Sequence, residues 1–518
     1  MYSLFMPASW GKFTHIKLDK QASQWIAYSL FIVSVFFCLY LVVGLYAQQQ
    51  FAFAILVLLV VTSLSWVVVN KKAQAARYIY PSLFGMGVFV IFPLVYTISV
   101  GFTNYSAANL LTYERAQEVI LAETITSTSQ EYPFSLYRQG EQHYSLELKG
   151  QDVSFFADWQ QANSNTTLPL TLSSNLAIDA KPLSIKEIIQ LRKELDGLSL
   201  TLPDGTQLSK SGLRKFAAIT PRYTVQGEGQ LFDTQRQEIL TANHELGVFQ
   251  RPDGEAIAPG FKVYVGLDNF TRVITDENIR NPFLQIFVWT ITFAAVTVVF
   301  VMAIGLVLAN LMQWKPLKGK KAYRLLLILP YAVPAFISIL MFKGLFNQNF
   351  GEINMVLDML FGIKPAWFSN EAMAKTMLLI VNVWLGFPYF MLLCSGLIQS
   401  IPEDLYEASA LDGAGPIDNL LKITLPLVIK PLTPLLIAAF AFNFNNFVVI
   451  SLLTEGNPDI IGASTPAGTT DLLVSYTYRI AFQDSGQNFG LAAAISTLIF
   501  IVVGALALLN LKLTKVTV

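Results

Sequence analysis

Charge-free, mostly apolar runs recur along this chain, several of them the roughly 18 residues or more that a helix needs to cross a bilayer. The first, Gln21 to Asn70, holds no charged residue and has room for two helices, with the polar Ala47–Gln50 as the turn between them. Further runs cover Tyr80 to Phe102, Phe283 to Met312, Leu325 to Phe342, Thr376 to Ile398, Leu432 to Leu453 and Phe489 to Leu511. The pattern predicts eight spans.

Between the third and fourth spans the pattern changes. Residues 103–282 include "HYSLELKG", where Tyr144, Leu146 and Leu148 alternate onto one strand face. They also include "SIKEIIQLRKELDGL", with Ile185, Ile188, Ile189, Leu191 and Leu195 near helical spacing and Gly197 as the stop. The stretch is long enough to bury its own core. The fold class is therefore an all-α polytopic membrane protein of about eight transmembrane helices with a large inserted α+β domain. Its divisions are 1–102 (three spans), 103–282 (the inserted domain) and 283–518 (five spans). The inserted domain reads either as a spacer or as a docking platform for a partner outside the cytoplasm.

Composition narrows the class. Of the 518 residues 53% are hydrophobic and 14% charged, against about 25% charged in soluble domains. Net charge is zero, so no basic surface points to nucleic acid. Lysine and arginine set orientation. Lys12, Lys17 and Lys20, then Lys71, Lys72 and Arg77, then Lys315 to Arg324, then Lys512 and Lys515 all fall on one side if eight spans are counted. That side is cytoplasmic, with both termini, and the inserted domain lies opposite. No cleavable signal peptide is expected. Cys38 and Cys394 lie in apolar runs, which excludes a disulfide framework in the exported region.

Several chemistries find no support. There is no G-x-x-x-x-G-K-[ST] loop to cradle nucleotide phosphates and no G-x-S-x-G elbow. His15, His143 and His244 are scattered, and "NHELG" lacks the second histidine of a helical zinc site, so His244 reads as a surface residue. The spans carry essentially no acid or base to relay protons. Uphill transport would draw its energy from another protein.

One polar stretch between spans six and seven offers the entry point: "YEASALDGAGPIDNLLKITLP", Tyr406 to Pro426. Ser400 and Glu403 have capping-box spacing, Gly413 can take a left-handed stop, Pro416 restarts a second short helix and Pro426 closes it. Ile417, Leu420, Leu421 and Thr424 should line one side of that helix. Glu403, Asp404, Glu407, Asp412 and Asp418 outnumber Lys422 there. Anionic lipid would repel such an excess, whereas a partly basic groove on a partner would accept it.

These residues resemble the EAA loop of binding-protein-dependent ABC importers: Glu407, Ala408, Gly413, Ile423, Leu425 and Pro426 match its pattern, and Ser409 replaces the second alanine. "VYVGLDNFTRVI" and "FNQNFGEINMVL" agree with the same family. The extra N-terminal spans and the long insertion resemble its MalF type, the larger permease of maltose/maltodextrin importers. The resemblance implies a second permease of MalG type, two ATPase subunits of MalK type, a periplasmic maltose-binding protein and a Gram-negative inner membrane. It implies no cofactor bound by this chain, with ATP and magnesium used by the ATPase. Glu407, Ala408, Ser409, Asp412 and Gly413 would couple to that ATPase, Glu407 through a basic partner.

A sugar site is suggested by "NVWLGFPYF" and "FAFNFNNFVVI". Asn382, Gly386 and Tyr389 share one helical face, as do Asn443 and Asn446. One reading of such amides is glue between helices; with interleaved aromatic rings they also suit a neutral sugar, whose hydroxyls and C–H faces need no charge. The resemblance implies contacts from Asn382, Leu385, Gly386, Tyr389, Phe442, Asn443 and Asn446, with Ala439 where that pattern has a serine. Pro388 should kink span six. Two alternatives stand beside this reading: the same machine for another neutral glycoside, and a membrane-anchored receptor that needs no ATPase.

Overall fold

The computed structural model describes residues 20–48, 50–140, 143–150, 153–160, 167–172 and 181–513. Lys12, Lys17, His15 and Lys515 lie outside them. The chain forms two compact units that divide after Tyr96.

The first unit begins with the predicted helical pair, Lys20–Ala47 and Phe51–Val69, separated at the polar turn. The free carbonyls at the end of the second helix are taken by Arg77, whose Nε and Nη2 donate to Val67 and Val68 oxygens at 3.2 and 2.7 Å. A cation there also suits the negative end of the helix dipole. The third span, Ala75–Val100, contains a π-helical turn at Gly87–Ile91 just before Pro93. A wider turn accommodates the N–H that proline lacks.

In the second unit, the described residues of the inserted domain form an eight-stranded and a five-stranded sheet. The long strand Thr124–Arg138 pairs antiparallel with His143–Lys149 on one side and Lys215–Pro221 on the other. Tyr144, Leu146 and Leu148 are buried together, as the alternation requires. The predicted helix is two, Ile185–Gln190 and Arg192–Asp196, broken at Leu191. Ile188, Leu191 and Leu195 face the core while Ile185 and Ile189 are exposed. Gly197 ends it in a right-handed conformation, φ −89°, without a left-handed turn. His244 is exposed, its ring 5.2 Å from that of Tyr113.

Three asparagines brace the base of this domain, and one of them reaches the end of span three. Asn104 and Asn109 each donate to Phe261 O, and Asn269, within the "VYVGLDNFTRVI" run, donates to Gly101 O and Thr103 O at 3.0 and 2.8 Å. Backbone that leaves a helix has unsatisfied carbonyls, and a short amide side chain reaches two at once.

Spans four and six are Glu277–Gln313 and Glu371–Gln399, and span eight is Phe489–Leu513. Four and six cross closely at Gly305, where a Cβ would stand 2.8 Å from Phe390 Cβ and Met391 N. Span six passes through Pro388 as one helix. Among the described residues, five helices are long and apolar enough to cross a membrane, a bent pair makes six, and Phe53–Val69 and Phe489–Ala505 are shorter apolar stretches.

Span five departs from the single helix expected: Lys320–Ala332 and Ala335–Leu345 meet at 93°. Pro334 excludes its predecessor from helical geometry, and Val333 is extended at φ −89°, ψ 135°. The second limb ends with Phe346 packed beside Trp289 of span four and Trp367, so the pair crosses to the side where span four begins.

Span seven and the polar stretch also correct the expectation. Ser400 caps nothing downstream; its N–H and Oγ both turn back to Leu397 O, and Pro402 stands at the cap of the helix Glu403–Leu411. Pro426 does not close the second helix. The chain runs helically from Pro416 to Phe444, 29 residues, through a π-helical turn at Asn419–Thr424. That wider turn, where Thr424 Oγ1 also donates to Asn419 O at 3.1 Å, ends just before Pro426 and makes room for its ring. Thr424 is buried and Leu420 half-buried, whereas Ile417 and Leu421 are exposed, so the four do not form one packed face. The span then breaks at Asn445 and Asn446 before a short helix, Phe447–Leu453.

After span seven, Arg479 ties the connecting loop together through Asp471 at 2.8 Å and Asp459 at 2.6 Å. Asp471 is fully buried, and burial raises its pKa despite the facing guanidinium.

Candidate functional site

Spans four, five, six and seven line a half-open cavity of about 820 Å³. Thr297 and Val301 come from span four, and Pro330 to Ala335 from the elbow of span five. Span six contributes Asn382, Leu385, Gly386 and Tyr389; the end of span seven contributes Phe442, Asn443 and Asn446. All seven residues expected at a sugar site therefore face one space, together with Ala439.

The amides are bonded to one another. Asn382 Nδ2 donates to Asn443 Oδ1 at 2.7 Å and to Thr297 Oγ1 at 3.1 Å, while Asn446 Nδ2 donates to Asn382 Oδ1 at 3.0 Å. Asn443 Nδ2 donates to Ala439 O at 2.8 Å. Glue and cavity lining are thus the same residues. Local chemistry explains their placement: Asn446 caps the helix that follows the break, its Oδ1 accepting from Val449 N at 3.5 Å. Phe442 is 72% exposed and Tyr389 39%, so two rings stand free beside the buried amides. Gly386 serves packing as well as access, since a Cβ there would lie 3.0 Å from Val301 Cγ1.

Among the described residues, no carboxylate, lysine, arginine or histidine lines the cavity. Amide donors and acceptors beside aromatic faces suit an uncharged, polyhydroxylated ligand. Thr297 and the elbow with Tyr331 were not anticipated. The paired prolines of "PYAVP" mark a broken helix, and that was the available signal for the elbow; Thr297 carries none, because its place depends on how two helices cross.

The acidic stretch forms a hairpin with a cleft of about 330 Å³. Ser409, Asp412 and Gly413 line it from the first helix and turn, and Asp418, Asn419 and Lys422 from the second. Ser409 Oγ donates to Asn419 Oδ1 at 2.6 Å, and Tyr406 Oη lies 3.0 Å from Thr424 Oγ1, so the helices are locked together. Gly413 takes the left-handed turn, φ +81°. Glu407, Ala408 and Asp412 are exposed, and Leu411 is 90% exposed. Lys315 pairs with Glu403, placing the basic loop after span four on the side of this hairpin. Lys422 lies 2.6 Å from Asp418 and forms an ion pair with it.

A helical membrane bundle with a neutral cavity, joined by one helix to an exposed acidic hairpin, has the form of a transport permease. Residues 302–514 match the family described as binding-protein-dependent transport system inner membrane component. Residues 111–266 match the maltose transport system permease protein MalF P2 domain. The chain is 54% identical over 486 residues to the maltose/maltodextrin transport system permease protein MalF of Vibrio cholerae serotype O1, covering 92% of each chain. It is 53% identical to that of Escherichia coli K12, over 92% of this chain and 94% of the relative. For Yersinia pestis the identity is 52%, over 96% and 95%. The chain belongs to the MalF family of maltose/maltodextrin transport permeases, multi-pass components of the inner membrane.

Proposed function

We propose that this chain forms half of the translocation path of an ATP-driven importer for maltose and maltodextrins. Its partners are a MalG-type permease, a MalK-type ATPase dimer and a periplasmic maltose-binding protein. The termini and the acidic hairpin face the cytoplasm and the inserted domain the periplasm. ATP is hydrolysed by the ATPase subunits, not by this chain.

One observation carries the reading: the helix that starts in the hairpin at Pro416 ends at the cavity, with Asn443 in its last turn. A helix of 29 residues spans roughly 43 Å at 1.5 Å per residue. Its backbone bonds make it stiff, so displacement of the hairpin by the closing ATPase reaches the cavity wall as displacement of Asn443. Ser409 and Tyr406 lock the first hairpin helix to it, so Glu407 and Ala408 move with the same body. At the other end, the breaks at Val333–Pro334 and Asn445–Asn446 are joints where the cavity's outer walls can turn without unfolding a helix.

In the cavity, Asn382, Asn443 and Asn446 exchange their mutual bonds for sugar hydroxyls, while Tyr389 and Phe442 cover apolar faces of the rings. Leu385 and Gly386 complete the floor. Exchange of like for like makes binding weak enough for release, which transport requires. The test is Asn443→Ala with Asn446→Ala in the assembled complex. Maltose uptake should be lost while the ATPase still co-purifies; undiminished uptake would refute the site.

A further inference from the structure

We propose that the helix Glu352–Phe361, between spans five and six, is an interfacial anchor whose outer face lies in the lipid of the leaflet on the inserted domain's side. Ile353 and Leu357 are its inner face and pack on Trp289, Phe346, Met377 and Leu378. Met377 and Leu378 belong to the first two turns of span six, so this helix sits at the depth where that span enters the membrane. Its start is pinned to the exit of span five, because a side chain at Gly351 would collide with the oxygens of Leu345 and Asn347.

A buried clamp fixes its rotation. Asn354, 2% exposed, accepts from Trp367 Nε1 at 2.7 Å and donates to Gln348 O and Pro365 O at 3.0 and 3.1 Å. Helical geometry then turns Met355 and Met359 directly away from the protein, with Val356 on the flank. They are 61%, 51% and 83% exposed, and Phe361 beyond them is 69% exposed. A helix apolar on its packed face and again on the opposite one has no stable place in water. At this depth the matching solvent is the boundary of headgroup and acyl chain, about 5–10 Å into the leaflet. Asp358, on the flank, pairs with Lys364 at 3.1 Å, and the remaining acid, Glu352, is exposed in the first turn, at the end of the helix.

The test uses the full chain in its assembled complex, carrying Cys38→Ser and Met359→Cys, labelled with bimane in nanodiscs of phosphatidylethanolamine and phosphatidylglycerol. The remaining Cys394 is buried within span six. Asp253→Cys, on an exposed turn of the inserted domain, is the control. Brominated acyl chains should quench about half of the emission at 359, as expected of a probe at the acyl boundary, and none at 253. Quenching at 359 by aqueous iodide equal to that at 253 would overturn the proposal, placing the face in water. Protection from both quenchers would overturn it too, assigning the face to a partner protein. The signal is independent of sugar import, so its failure and the failure of the permease reading are separable.

Discussion

Asn382 offers the sharpest test of how the cavity is held. Its amide bonds side chains from spans four and seven, and it is 5% exposed. The perturbation is a double-mutant cycle: Asn382→Ala, Asn443→Ala and the pair. Interhelical bonds in membranes are worth about 0.6 kcal/mol on average and at most about 1.7 kcal/mol. Asn382→Ala removes three such bonds, to Thr297, Asn443 and Asn446, so the loss of bonding alone is about 2 kcal/mol. Polar groups orphaned at the cavity wall add about 1 kcal/mol each, and the single variant should lose about 2–5 kcal/mol. Asn443→Ala leaves Asn382 its bonds to Thr297 and Asn446 and should cost less. The coupling term isolates the 2.7 Å bond and should be about 0.6–1.7 kcal/mol. Reversible unfolding of the purified chain in mixed micelles measures it without any sugar present. Strict additivity, with a coupling term near zero, would refute the claim that these amides bind one another in the resting protein.

Two further outcomes are expected. Asp471→Ala leaves Arg479 only Asp459 as a partner and removes the acceptor of Gly468 N and Ser475 Oγ, and should destabilise the chain by about 1.5–3 kcal/mol; unfolding midpoints within error of the parent would refute that pairing. Glu407→Lys reverses the charge of an exposed hairpin residue and should reduce co-purification of the ATPase several-fold, about 1–2 kcal/mol of lost interface energy; an unchanged yield of ATPase on the affinity-tagged chain would count against docking through this residue.

Periodicity made much of this architecture legible. Charge-free runs located the spans because lipid imposes a length and a composition on any helix that crosses it. Alternation placed Tyr144, Leu146 and Leu148 on one buried face because strand geometry has a fixed period. Where prolines intervened, the local reading went astray in both directions. Pro426 looked like a stop, yet a π-helical turn at Asn419–Thr424 carries the helix past it. Pro334 lay inside an expected single span and bends it sharply. A proline specifies a missing N–H and a restricted predecessor; whether the helix bends, bulges or ends depends on what neighbouring groups can satisfy the orphaned carbonyl.

The sequence by itself determined which residues belong in lipid, which form the acidic hairpin and which amides share a helical face, because each is set by chemistry within a few turns of the chain. Only the tertiary structure decided that Asn382, Asn443, Asn446 and Thr297 meet, and that the elbow of span five walls their cavity. Those meetings depend on helix crossings such as the close pass at Gly305. A crossing is chosen by the fit of two surfaces far apart in sequence, and no local period records it.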